Sequence, residues 1–364
     1  VYALSSRGRD KVALVKLDTI SGQEQILYED PYVDISNVWL NPFSGEPLAV
    51  QTNPDQEKIY FLDENLEKAL TKLRPAAPHR IKFGTMSRDG KLFIFHNGTT
   101  KERFRTFLLN RADGDVRQLT KTPNYKNADA LVDARPITFK ARDGLDLSGY
   151  LTLPKLDLSE PVPCVLFVHG GPFRRDYWRQ KGLHHMLVNR GYGLLRVNYR
   201  GSSGFGRDFM NRGKLEHGGK MFDDLIDAVN WVTDKKYCDA KAIAIGGVSY
   251  GGYSALLGAT LTPGRFAGIV DIFGVSDLLQ LMHFAPPDWK NSRSGLYRFF
   301  GNYANDEDQA KLTEASPIHK LDRVRVPLLI IHGTKDKVVH VEQSRNLVNR
   351  LAELEHFPII RGHI

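Results

Sequence analysis

Residues 241–261, KAIAIGGVSYGGYSALLGATL, constrain the fold more than any other stretch of the chain. An apolar run (Ile243, Ala244, Ile245) meets Gly246-Gly247-Val248-Ser249-Tyr250-Gly251-Gly252, and a small-residue pattern at helical spacing follows from Tyr253 to Leu261. This reads as strand, sharp turn, helix. Glycines on both sides of Ser249 suit a turn so tight that side chains would strike neighbouring backbone. Ser249 is then expected clear of the sheet, at a helix N-terminus whose N–H groups can stabilise developing negative charge. The five-residue Gly-x-Ser-x-Gly pattern alone fits a glycine-rich turn without chemistry equally well. Its meaning rests on partners elsewhere in the chain.

A chain of 364 residues, 41% of them apolar, can bury a large core. At about 150 residues per domain, that length suggests two domains. No window approaches the ~18 uninterrupted apolar residues of a membrane span. The chain opens on Val1 and lacks the basic-then-apolar order of a signal peptide, so a processed start or a fragment is expected. The net charge of +8 could point to nucleic acid, but Lys and Arg are scattered among 42 acidic residues, and the densest basic spots (Arg174-Arg175, Lys235-Lys236) are pairs. Nucleic acid is therefore not an expected partner. Cys164 and Cys238 are too few for a disulfide framework. Cys164, inside the apolar run 162–168, reads as a small buried hydrophobe, which suits a reducing, cytoplasmic setting. No Cys/His cluster has metal-ligand spacing, and no cofactor is expected. Asn97-Gly98-Thr99 matches a glycosylation acceptor and reads as a turn.

Residues 1–133 show short β-branched and aromatic segments (KVALVKLDT, KIYFLDENL, KLFIFHNG) broken at Ser-Gly, Asn-Pro, Asp-Gly and Asn-Gly pairs, the pattern of an all-β meander. Leu17-Asp18, Leu62-Asp63 and Leu109-Asn110 recur at intervals of 45 and 47 residues. Such a period fits propeller blades of about 40 to 50 residues, of which about three fit here, fewer than closed propellers use. A small β-sandwich with chance spacing is the alternative.

From residue 134 the pattern changes. A hairpin around Arg142-Asp143-Gly144 precedes the buried-strand run Pro163-Cys164-Val165-Leu166-Phe167-Val168, which ends in His169-Gly170-Gly171-Pro172. Tyr192 to Tyr199 reads as another buried strand, followed by the loop RGSSGFG, where open α/β sheets place ligands. Residues 221–233 have helical spacing. Asp223, Asp224 and Asp227 sit at that helix's front, where negative charge is favoured, and need no catalytic role. Val326 to Ile331 reads as a strand leading into His332-Gly333-Thr334-Lys335-Asp336-Lys337-Val338-Val339.

The order VHGGP, NYRGSSGFG, GGVSYGGY, HGTKDKVV resembles the prolyl oligopeptidase family of serine peptidases, on the side of the dipeptidyl aminopeptidases and acylaminoacyl peptidases, over residues 134–345. The resemblance implies an α/β-hydrolase domain at 134–364, a mostly parallel, doubly wound sheet, preceded at 1–133 by a partial β-propeller. It implies Ser249 as nucleophile, Asp336 as the acid and a histidine after Asp336 as base, with backbone N–H groups of Tyr250 and Gly170 as oxyanion donors. Of His340, His356 and His363, the last, in Arg361-Gly362-His363-Ile364, resembles the family's terminal loop and is the expected base. An apolar specificity pocket would draw on Tyr250, Val275, Leu278, Leu281 and Val339. The aromatics Phe284, Trp289, Tyr297, Phe299 and Phe300 fit either pocket lining or plain packing.

The implied activity is hydrolysis of short peptides by acyl transfer, without metal or cofactor, away from membranes and nucleic acid, in a monomer or homo-oligomer. Two alternatives stay open on the sequence: an esterase with the same triad, and a non-catalytic fragment or binding module. Whether dipeptides, acylated residues or internal peptides are released is not written in these motifs.

Overall fold

The computed structural model describes every residue outside 72–79, 100–102, 122, 124–127, 156–158, 180, 285–292 and 355–364. The chain forms two compact units: Val1–Asp133 with Tyr177–His185 and Gly204–Arg207, and the remainder from Ala134 onward.

The first unit is built from small antiparallel sheets. One joins β1 (Tyr2–Ser5), β2 (Ala13–Leu17) and β3 (Glu24–Tyr28); a second joins β4 (Ile35–Leu40), β5 (Pro47–Thr52) and β6 (Lys58–Phe61). A third has the order β10-β9-β8-β7, from β7 (Arg80–Met86), β8 (Leu92–Gly98), β9 (Arg105–Asn110) and β10 (Val116–Gln118). Each sheet holds a matching hairpin turn. Asp18, Asn41 and Asn110 accept backbone N–H groups on their side chains, and Gly22, Gly45 and Gly114 close the turns at positive φ. The sequence periodicity matched only two of these. Asp63 instead caps helix α1 (Glu64–Thr71) by accepting from the Leu66 N–H at 2.9 Å, so the residues after the second Leu-Asp pair form a helix where the periodicity implied a hairpin turn. Leu66 and Leu70 bury the helix against Ile81, Phe93, Phe95 and Leu109.

The second unit carries a seven-stranded sheet in the order β11-β12-β14-β13-β15-β16-β17. Its strands are β11 (Arg135–Lys140), β12 (Asp146–Thr152), β13 (Val162–Val168), β14 (Gly193–Asn198), β15 (Cys238–Val248), β16 (Gly268–Ile272) and β17 (Leu328–Ile331). Pairing is parallel from β14 to β17, and the β11–β12 hairpin adds antiparallel at one edge. The described helices from residue 182 onward are α2 (Gly182–Val188), α3 (Arg207–Asn211), α4 (Lys220–Asp234), α5 (Tyr250–Leu261), α6 (Leu278–His283), α7 (Arg293–Phe300), α8 (Asp306–Glu314) and α9 (Glu342–Glu353). Among the described residues, no helix is long and apolar enough to cross a membrane.

The reading of Cys164 as a free buried thiol is corrected: Cys164 and Cys238 form a disulfide with Cα atoms 5.7 Å apart. Strand pairing brings them together. Val162 pairs with Cys238, and the register then jumps so that Cys164 pairs with Ile243. The inference from cysteine chemistry to a reducing compartment falls with that thiol.

Candidate active site

Three loops that carry the expected chemistry leave the C-terminal ends of parallel strands β13, β15 and β17, the edge where open α/β sheets hold ligands. Ser249 follows β15 with φ 58° and ψ −115°, a conformation that costs a non-glycine residue strain and lifts its side chain out of the strand line. Its N–H donates to the Ile272 carbonyl of β16 at 2.9 Å, which pins the turn. The flanking glycines have a steric cause. A Cβ on Gly247 would lie 2.5 Å from the Val168 carbonyl oxygen, and one on Gly251 would collide with the same atom. The elbow is pressed against the end of β13, and only glycine fits at both approaches.

The loop after β13 lies beside the serine: a Cβ on Gly170 would stand 3.5 Å from Ser249 Cβ. Among the described residues, the N–H groups of Gly170, Gly171 and Tyr250 donate to no protein acceptor. The sequence missed what orients this loop. The buried His169 ring stacks on Tyr199 (centroids 4.4 Å apart), with Nδ1 2.9 Å from the Gly170 carbonyl and Nε2 3.1 Å from Ser202 Oγ. Ser202 in turn donates to the Tyr199 carbonyl at 2.6 Å. The signal was present in the His of HGGP and the Ser of RGSSG, but their pairing is a matter of sheet order.

Asp336 sits in the turn after β17. Its Oδ1 accepts from the N–H groups of Val338 (2.8 Å) and Val339 (3.0 Å), which fixes the carboxylate in one orientation. His332, buried at the end of the strand, bridges the turn: one ring nitrogen lies 2.8 Å from the Val339 carbonyl and the other 2.7 Å from Ser344 Oγ. The expected base, His363, lies outside the described residues, as do His356 and Trp289.

Val275, Leu278, Leu281 and Val339 are all buried. Leu281 also lines a cavity of about 120 Å³ with Gln280, Phe284, Val338 and His340. Phe299 and Phe300 are buried against His217, whereas Phe284 is 63% exposed. Burial pushes the His217 imidazole down to about 4, so it is neutral, and its Nδ1 lies 3.4 Å from the Tyr250 hydroxyl. Under the elbow, Asp271 of β16 accepts from the Gly274 N–H at 2.7 Å, and burial raises its carboxyl to about 7.

The RGSSGFG loop is held rather than loose. Arg200 donates to buried Asp224 at 2.7 Å and to Asp143 at 2.8 Å, and Arg142 bridges Asp223 and Asp227, each at 2.8 Å. Burial pushes Asp224 up to about 6, opposed by its bonds to Arg200, while the Arg200 guanidinium holds Asp143 down to about 2. The three α4 aspartates are thus arginine partners, a stronger constraint than a place at a helix front. Among the described residues, no group of three or more His, Cys, Asp or Glu is arranged to hold a metal ion.

A sequence profile of the prolyl oligopeptidase family matches residues 178–357. Dipeptidyl aminopeptidase BIII of Pseudoxanthomonas mexicana is 35% identical over 99% of this chain and 53% of its own length. Dipeptidyl peptidase family member 6 of Caenorhabditis elegans is 31% identical over 93% of this chain and 48% of its own. The chain spans about half the length of these curated relatives. Among solved structures, a puromycin hydrolase superposes over 100% of this chain and 56% of its own with a TM-score of 0.80 at 20% identity. The acylaminoacyl peptidase of Pyrococcus horikoshii covers 97% of this chain and 54% of its own, with a TM-score of 0.75 at 22% identity. Those likenesses give the fold, α/β-hydrolase in its sheeted second unit; the profile and the curated relatives give the lineage, and the chain belongs to the prolyl oligopeptidase family.

Proposed function

We propose that this chain carries the catalytic part of a serine peptidase that hydrolyses short peptides by acyl transfer. Ser249 Oγ attacks the scissile carbonyl while His363 takes its proton; Asp336 orients the imidazole and stabilises its charged form. The N–H groups of Tyr250 and Gly170 bind the oxyanion. His363 returns the proton to the leaving amine, and a water attacks the acyl-enzyme by the same route. The observation that carries this reading is the strained Ser249 beside Gly170, with N–H groups on both sides that donate to no acceptor among the described residues. Preset donors of this kind in a low-dielectric site are usually the largest single contribution to catalysis.

The domain division follows as residues 1–133 and 134–364, with the antiparallel sheets of the first as blades of a partial β-propeller. Short consecutive meanders with matching hairpin turns support that architecture. The two curated relatives described above are named a dipeptidyl aminopeptidase and a dipeptidyl peptidase family member, which favours release of dipeptides from a free amino terminus. The test is labelling with a fluorophosphonate, with Ser249→Ala and His363→Ala as controls. Hydrolysis of dipeptide anilides, N-acetylated anilides and short acyl esters is then compared. Probe labelling of Ser249 with preferential cleavage of unblocked dipeptide anilides is expected; turnover of esters alone overturns the peptidase reading.

A further inference from the structure

The stretch assigned to the specificity pocket begins as a loop between β16 and α6, and one side chain from another element holds it. Gln343, in the first turn of α9 and buried, uses its whole amide there. Its Oε1 accepts from the Ser276 N–H (2.9 Å) and the Asp277 N–H (2.8 Å), and its Nε2 donates to the Asp277 carbonyl at 2.9 Å. Two backbone donors on one atom and a carbonyl on the other fix which end of the amide is oxygen. Ser276 Oγ closes the clamp by donating to the Gln343 carbonyl at 2.7 Å. Asp277, so held, caps α6 by accepting from the Gln280 N–H at 2.9 Å, which orients the helix carrying Leu278 and Leu281. The next residue of α9, Ser344, holds His332 and through it Val339. Adjacent residues of one helix turn thus anchor the acid turn and the loop after β16.

We propose that Gln343 is a positioning residue for substrate selection. By clamping Ser276 and Asp277 it sets where Val275, Leu278 and Leu281 stand, and so which side chain the residue on the acyl side of the scissile bond can carry. This rests on the peptidase reading and on those residues walling the pocket. Loss of the amide leaves the Ser276 and Asp277 N–H groups without their acceptor, while the Asp277 carbonyl keeps the Leu281 N–H at 3.1 Å, and the loop must shift to pair the two donors. Such a shift changes the fit of a side chain by the methylene-sized steps that pockets discriminate.

The test measures kcat/KM of the full chain on dipeptide anilides differing only in the acyl-side residue (Ala, Val, Leu, Phe). Gln343→Met, confirmed as folded by its unfolding transition and still reactive with fluorophosphonate, is expected to shift the Ala-to-Leu ratio by about tenfold, carried by KM. Gln343→Glu gives a second, gentler arm. Ionised, it sets an oxygen against the Asp277 carbonyl; protonated, its O–H can donate there as the amide does. Its Ala-to-Leu ratio should return toward the parental value as pH falls from about 8 to 5, while the parent's ratio stays flat because the triad's titration cancels between substrates. Unchanged ratios in both variants overturn the inference alone. A parent that neither labels nor cleaves overturns the peptidase reading, and this inference with it.

Discussion

His169 Nδ1 lies 2.9 Å from the carbonyl oxygen of Gly170, the glycine whose α-carbon faces Ser249. A ring bonded to that carbonyl fixes the peptide plane on the far side of Gly170, and the Tyr199 hydroxyl, donating to the His169 carbonyl at 3.1 Å, fixes the plane from which the Gly170 N–H projects. Stacking on Tyr199 and the contact with Ser202 hold the ring itself. Removing the ring frees the loop to rotate its amides away from the oxyanion. His169→Ala is therefore expected to lower kcat on peptide anilides by up to about 10²- to 10³-fold, the range for losing one oxyanion donor. Ser202→Ala should cost less. Unaltered kcat in a folded His169→Ala protein would show the loop to be held by other contacts.

Gly251 faces the Val168 carbonyl, with no room for a methyl group. Alanine would favour helix α5 by about 1 kcal/mol over glycine. Forcing a methyl into packed backbone costs about 1–3 kcal/mol or more, so the steric term wins. Gly251→Ala should thus lower the urea midpoint and abolish fluorophosphonate labelling together. A variant that labels normally would refute the pressed elbow.

Cys164 and Cys238 staple two adjacent strands, one ending in the Gly170 loop and the other in Ser249. The bond joins residues 74 apart in sequence, and closing a loop of that size typically stabilises by about 2–4 kcal/mol. The double variant Cys164→Ser/Cys238→Ser, or the reduced protein, is expected to melt about 5–15 °C lower than the oxidised form. Titration of two free thiols in the native, unreduced protein would remove the bond from the fold.

How far the sequence alone reaches differs between elements. GGVSYGGY, HGGP and HGTKDKVV each pair a local pattern with a strand end, so the loops carrying Ser249, Gly170 and Asp336 are found where the motifs put them. Contacts made across the sheet are not written locally. The disulfide depends on β13 lying next to β15, and the His169–Ser202 contact on β14 lying next to β13. In the first unit the Leu-Asp periodicity failed at Asp63 because aspartate serves equally as a helix cap and as a hairpin turn residue, and only the residues after it decide between the two. EKALTK, rich in helix formers, was the signal that should have outweighed the spacing.

Asp271 is buried beneath the elbow, and the Gly274 N–H bonds one of its carboxyl oxygens. Burial raises its carboxyl from 3.8 to about 7, so the folded state keeps a proton that the unfolded chain releases. Its contribution is intact below about pH 4 and is lost as pH rises toward 7, at up to about 1.4 kcal/mol per pH unit. Asp271→Asn, which retains the acceptor, should gain stability relative to the parent between pH 4 and about 7, read from urea unfolding. An equal difference at both ends would show a carboxyl that titrates normally in the fold.

His217 titrates in the opposite sense. Its ring lies 4.3 Å from Phe300 and 5.2 Å from Phe299, and one nitrogen faces the Phe299 carbonyl at 3.2 Å. That contact favours the charged form, but burial outweighs it and lowers the group to about 4. Between about pH 6.5 and 4 the unfolded chain therefore binds a proton that the folded state refuses, and stability falls as the solution is acidified across that window. The full shift corresponds to about 3 kcal/mol. His217→Phe removes the titration and keeps an aromatic face for Phe300, so its stability should fall less than the parent's from pH 7 to 4.5. Because the other ring nitrogen faces the Tyr250 hydroxyl, protonation in the fold, near pH 4, also unsettles the residue after the nucleophile, and at that pH the parent should lose fluorophosphonate reactivity faster than the variant. Parallel pH profiles for stability and labelling in the two proteins would show that His217 takes up its proton in the fold without cost.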